Sequence, residues 1–135
     1  VSTAETVRAA AMTAFQTVSG IAKFYQADPW TVPGELPALS MVYIGPSPVD
    51  NETGPRVDMT HEWAVYLYLD KTADPSSPQV KLEQLLGPLV QAVAVDPTLA
   101  FTCDRSRLDA RRYRPDFSKD GYVLKEMRLY AELSE

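Results

Sequence analysis

The chain has 135 residues, 23% of them charged and 45% hydrophobic, with a net charge of −5. That length fits one domain, burying roughly two thirds of its unfolded surface with no need of metal or disulfide. The negative balance argues against a general nucleic-acid binder, which needs excess Lys and Arg to displace counterions from phosphates. The single cysteine, Cys103, cannot form an intrachain bridge and fits a reducing compartment; it reads as a small hydrophobe near a strand.

At the N-terminus, Ser2 with Glu5 three residues on has the spacing of a capping box. Val7, Ala10, Ala11, Ala14, Phe15, Val18, Ile21, Ala22 and Tyr25 then recur at three- and four-residue intervals, which predicts one amphipathic helix whose alanines pack closely on a sheet. No basic stretch followed by an apolar block occurs in the first twenty residues, so no secretory leader is expected. From Gln26 to Ala38 the prolines Pro29, Pro33 and Pro37 predict an extended connection. Trp30 within it is either a lid over the core or an interface anchor.

Leu39 to Ile44 reads as the first strand, ending at Gly45-Pro46. The polar stretch from Pro46 to Asp58 reads as a long excursion. Loops beyond about 12 residues in compact domains are uncommon and often functional, which singles out Pro48, Asp50, Glu52, Arg56 and Asp58. His61 to Asp70 alternates strictly: Trp63, Val65, Leu67 and Leu69 on one face, Glu62, Ala64, Tyr66, Tyr68 and Asp70 on the other. That is the pattern of a half-buried strand, here the central one. Its Tyr66/Tyr68 face is wetter or meets another chain.

Lys71 to Gln79 predicts a loop. A second helix follows on Val80, Leu82, Leu85, Leu86, Leu89, Val90 and Val93, with Pro88 kinking or interrupting it and Asp96-Pro97 ending it. Its apolar run, Leu85 to Val95, is broken by Gly87, Pro88 and Gln91, so no membrane span is expected. Leu99 to Cys103 and Leu108 to Arg114 read as short strands, Pro115 to Gly121 as a turn. Tyr122 to Leu133 is the last strand, with Val123, Met127, Leu129, Ala131 and Leu133 on its apolar face and Lys125 as the exception. The expected fold is α+β: a mainly antiparallel sheet of four or five strands with two helices on one face.

Catalytic chemistry finds no footing. Gly-rich phosphate loops, Cys-x-x-Cys pairs and Gly-x-Ser-x-Gly elbows are all missing. His61-Glu62 opens like a zinc-protease motif, but Val65 stands where the second histidine belongs. With one histidine in the chain, His61 reads as a surface or edge residue. No enzyme, cofactor or metal is expected.

The distinctive chemistry is a basic strip. Residues 105 to 114 hold five arginines and one aspartate, a local +4, so the rest of the chain carries −9 of the total −5. If 108 to 114 is a strand, Arg112 and Arg114 share a face with Leu108 and Ala110, and Arg111 lies opposite. Arg105, Arg107, Arg111, Arg112 and Arg114 then either pair bidentately with acidic groups of a neighbouring subunit or form a solvated edge that blocks uncontrolled strand pairing. Contact with DNA phosphates is a smaller third option.

The order of features resembles a known family. An Ala-rich helix leads through DPWTVPGELPALSMVYIG into a strand, and a polar loop precedes HEWAVYLYLDK. A helix ending in Asp96-Pro97-Thr98-Leu99 follows (LEQLLGPLVQAVAVDPTLAF), and YVLKEMRLYAEL closes the chain. This resembles the tail terminator, or minor tail protein U-like, proteins of long-tailed bacteriophages along nearly its whole length. The resemblance implies a structural virion protein, assembled in the host cytoplasm and located at the tail–neck junction. It would form a homohexameric ring on the tail tube protein, stop tube growth and present a joining surface to the head-closure proteins. DNA would only pass through the lumen, with no membrane involved. The arginine strip would lie at the subunit boundary or face the lumen. A head-completion or connector protein of the neck, or a soluble ligand- or protein-binding domain using Trp30, Tyr66 and Tyr68, are the alternatives.

Overall fold

The computed structural model of the chain describes residues 3–25, 35–48, 58–71 and 76–134. In chain order the elements are α1 (Ala4–Gln16), β1 (Lys23–Tyr25), β2 (Ala38–Pro48), β3 (Asp58–Asp70), α2 (Ser76–Ala94), β4 (Arg105–Asp109) and β5 (Tyr122–Ser134). The fold is α+β, as expected. Its five strands lie in the order β1-β2-β3-β5-β4, with β1 parallel to β2 and the other neighbours antiparallel.

Helix α1 starts at Thr3, whose side chain accepts a hydrogen bond from the Thr6 amide at 3.3 Å. Thr3 thus fills the capping role expected of Ser2, which lies outside the described residues. The helix also stops at Gln16 rather than running to Tyr25. Thr17 closes it, and Gly20 takes a φ of +100°, incompatible with a right-handed helix. Lys23–Tyr25 then joins the sheet edge. The apparent helical period through Ile21, Ala22 and Tyr25 continues α1's spacing by coincidence.

β3 is the middle strand. It pairs with β5 along its whole length, from Asp58↔Ser134 to Asp70↔Tyr122, and with β2 on its other side. β2 runs past the expected stop at Gly45-Pro46 as far as Pro48. A register shift between Tyr43 and Gly45 leaves Ile44 as the extra residue of a bulge, with Gly45 at φ +144°. Asp58, expected in a loop, opens β3.

α2 begins before Val80. Ser77 and Pro78 sit in its first turn, where proline's missing N–H has no intrahelical partner to lose. It then runs continuously through Pro88. Both helices cover one face of the sheet: Val7, Met12 and Phe15 of α1 and Leu82, Leu89 and Val93 of α2 meet Trp63, Val65, Leu67, Met127 and Leu129. Burial of this many large side chains is the main force holding the layers together.

Two expected strands move. Leu99 to Cys103 is a tight turn, in which Leu99, Ala100 and Phe101 take left-handed φ values of 47°, 57° and 64°. Each such residue costs about 1 kcal/mol relative to the right-handed region, so the turn exists only because other contacts impose it. The last full strand before β5 is Arg105–Asp109, so Arg111, Arg112 and Arg114 lie beyond it. His61 differs as well. It is 6% exposed on the helix-covered side of β3, where the Tyr43 hydroxyl and His61 Nδ1 share a 2.7 Å hydrogen bond.

Candidate functional site

The alternation of β5 that sends Val123, Lys125, Met127, Leu129 and Ala131 into the core sends Glu126, Arg128, Tyr130 and Glu132 to the opposite face. Glu62 of β3 and Arg105 and Arg107 of β4 join them across the ladder. Among the described residues, the face opposite the two helices is therefore lined by charge and tyrosine along β5 and β4, while its β2 end, at Ala38, Ser40, Ala64 and Tyr68, is buried.

Arg128 is its centre. Its Nη1 donates to Glu62 Oε2 at 2.6 Å and its Nη2 to Glu126 Oε2 at 2.5 Å, so one guanidinium ties β3 to β5. Burial works against the charged form, but the hydrogen bonds with Glu126 and Glu62 more than offset it and raise the pKa above its ordinary value. The guanidinium also lies 5.0 Å from the centroid of the Tyr113 ring.

Towards the β4 edge, Arg107 stacks 4.4 Å over the ring of Tyr130, and Arg112 donates to the hydroxyl of the same ring at 3.1 Å. That hydrogen bond is the first cause of Arg112's raised pKa. Arg105 pairs with Glu132 at 3.0 Å, but its side chain is 73% exposed, so the pair adds little to stability. Thr60, Arg105, Ser106, Arg107, Tyr130 and Glu132 line an open concavity of about 430 Å³.

The chain leaves the sheet after Asp109, whose carboxylate accepts from the Arg111 amide at 2.9 Å, and returns at the Asp116↔Leu124 bridge. The excursion carries Arg111, Arg112 and Arg114, with Arg111 and Arg114 exposed. It is pinned from beneath: Lys125, 4% exposed on the core side, donates its ammonium to the carbonyl of Tyr113. Burial lowers the Lys125 pKa, partly opposed by Asp109.

The five arginines thus gather at one edge in a different arrangement from that expected. Arg105 and Arg107 project from β4. Arg112 and Arg114 do not share a strand face with Leu108 and Ala110, because the side chain of Asp109 and the Lys125 tether turn the backbone out of the sheet. Among the described residues only Arg105 of the five forms an ion pair. Tyr66 is half-buried on the same sheet face, whereas Tyr68 is buried and packs on Tyr122 at 5.8 Å between ring centroids. Tyr68 is therefore a packing residue rather than an open contact. Pro48 and Asp58 end β2 and begin β3; Trp30, Asp50, Glu52 and Arg56 lie outside the described residues. Arg128, Tyr130, Glu62 and Glu126 are not among the residues that the sequence singles out, although the even-numbered residues of 122–133, together with Glu62 in the alternation of 61–70, already spell that face.

No cluster of three or more metal-type ligands occurs among the described residues, and no helix among them is long and apolar enough to cross a membrane. No protein-family model matches the chain. No curated protein matches it. Among solved structures, the chain is similar to one from "Virion of native gene transfer agent (GTA) particle", with 15% identity and a TM-score of 0.44 over 95% of this chain and 94% of that one.

Proposed function

We propose that this chain is a structural virion protein of a phage-like particle, a tail terminator that closes a ring on the end of the tail tube. The observation that carries the reading is the arginine edge. Five arginines sit at one margin of an otherwise acidic chain, and four of them form no ion pair among the described residues. Such an edge is complementary to the acidic remainder of an identical neighbour, and copies related by rotation would join edge to body. The layout of the sequence, which resembles the tail terminator family, supplies the tube, the hexameric count and the head-closure partner.

In this reading Arg111 and Arg114 meet acidic groups of the next subunit. Arg107 and Arg112 are held in place by Tyr130, so they lose little freedom on docking. The tube protein binds one face of the ring and the neck proteins the other, with DNA passing through the lumen. A soluble ligand-binding domain is less well supported, since Tyr68, one of its proposed pocket residues, is packed against Tyr122.

The test is the length of tubes grown from purified tail tube protein with and without the chain. Tubes that stop short in proportion to added chain support the reading; an unchanged length distribution contradicts it.

A further inference from the structure

We propose that the outer edge of β4 is a strand-addition site for an extended acidic segment of a different protein. This does not rest on the ring reading.

β4 ends the sheet: it pairs with β5 on one side and has no strand on the other. Among the described residues, no backbone N–H or C=O of Arg105–Asp109 hydrogen-bonds outside the ladder with β5. Such a row of donors and acceptors is a template for another strand, and charged side chains can guard it. Here they lean away from it. Arg107 stacks over Tyr130 and Arg105 pairs with Glu132, both on β5, so both side chains point inward across the sheet. The outer backbone groups stay uncovered, with two cations beside them.

Charge decides which strand fits. Residues 105 to 114 carry a local +4. A basic strand is repelled there, whereas an acidic side chain set opposite Arg105 or Arg107 makes a favourable cross-strand pair. Alternation then fixes the pattern. Arg105 and Arg107 share the face that holds the concavity of about 430 Å³, while Ser106 and Leu108 point to the other face and are buried. The incoming strand therefore carries acids at every second position and small uncharged residues between them. A carboxylate reaching the concavity meets the Arg107 guanidinium already fixed on the Tyr130 ring, so little freedom is lost on binding. A strand that continues past Asp109 comes alongside Arg111 and Arg114, both exposed. Neither margin of the described sheet supplies such a strand from a second copy. A second β4 would set arginine against arginine, and β1 at the other margin reads Lys23-Phe24-Tyr25.

Fluorescence anisotropy on the full chain tests this with a labelled, end-capped heptapeptide, Glu-Thr-Glu-Thr-Glu-Thr-Glu. It should bind saturably, and its counterpart with Lys in place of Glu should not. The Glu peptide N-methylated at every residue has the same charge but forms no ladder, so it should bind about tenfold or more weakly. Arg105→Glu with Arg107→Glu should weaken the unmethylated peptide by about the same factor. Both side chains are exposed, so melting curves of that variant should stay near wild type. In wild type, the β4 amides that make no bond to β5 should become protected from hydrogen exchange when the peptide binds. Four results overturn the proposal: no binding of the Glu peptide at about 1 mM, equal binding of its N-methylated form, β4 amides left unprotected, or protection that rises with chain concentration alone. The last would put a second copy on the edge. The tube-length assay judges the ring reading separately.

Discussion

Arg128 and Glu62 are 66 residues apart in sequence and 2.6 Å apart across the sheet. Together with Glu126 they form a part-buried ion triad on the sheet face opposite the helices. Removing the arginine leaves two neighbouring carboxylates without their shared cation. Arg128→Met should therefore cost about 2 kcal/mol, seen as a fall of about 8 °C in melting temperature for a chain of this length. Glu62→Gln, which keeps a hydrogen-bond acceptor, should cost less.

Lys125 places an ammonium within the core side of the sheet to hold Tyr113. Lys125→Met removes a buried charge at similar volume, so global stability should hold or rise by about 1 kcal/mol. Amides from 110 to 115 should exchange faster, because the excursion loses its tether. The pH dependence has a defined sign. Burial depresses the folded pKa, so the unfolded chain binds more protons between that value and about 10.4. Wild-type stability should gain a rising contribution across that window, and Lys125→Met should lack it in urea titrations.

Charge reversal at the arginine edge separates assembly from folding. Arg111 is exposed and touches the fold through its backbone, so Arg111→Glu should change stability by no more than about 0.5 kcal/mol. It should nonetheless suppress association of copies, most strongly at low salt. Arg112→Glu should add a small stability loss through Tyr130. Melting curves alongside light scattering at two ionic strengths check both effects.

Asp96 sets the pH limit of the Phe101 loop. The Ala100 amide first, and then the Thr98 hydroxyl, hold its carboxyl below the usual range. The support it gives is therefore complete above the unfolded value of about 3.9 and is lost as pH falls through the lower folded value. The Ala100 amide resonance should titrate at that lower pH, and Asp96→Ala should abolish the transition and speed exchange at Ala100 and Phe101.

Much of the architecture was legible because periodicity reports burial directly. The 61–70 alternation located the central strand, and the 122–133 alternation located its partner, down to the one lysine on the apolar face. Failures fell where local geometry overrides pattern. Gly20's positive φ ends the run that looked like one long helix, and nothing in the spacing of Ile21 to Tyr25 distinguishes a helix from a short edge strand. Asp96 and Thr98 impose left-handed backbone on a segment whose composition reads as strand.

The arginine cluster was visible as composition, but its geometry was not. The tether from Lys125 to Tyr113 joins residues 12 apart through a core-facing side chain, and no local rule anticipates it. His61 looked like an edge residue because a lone histidine has no period. Its burial follows from sharing the Trp63 face and from the Tyr43 hydroxyl that the bulge in β2 brings alongside.

Ring closure on the tail tube is decided by negative-stain microscopy of purified tail tubes mixed with the chain. Closed rings should sit at one end of each tube, and Arg111→Glu with Arg112→Glu should reduce them. A chain that binds along tube walls, binds both ends alike, or leaves every end bare would contradict it.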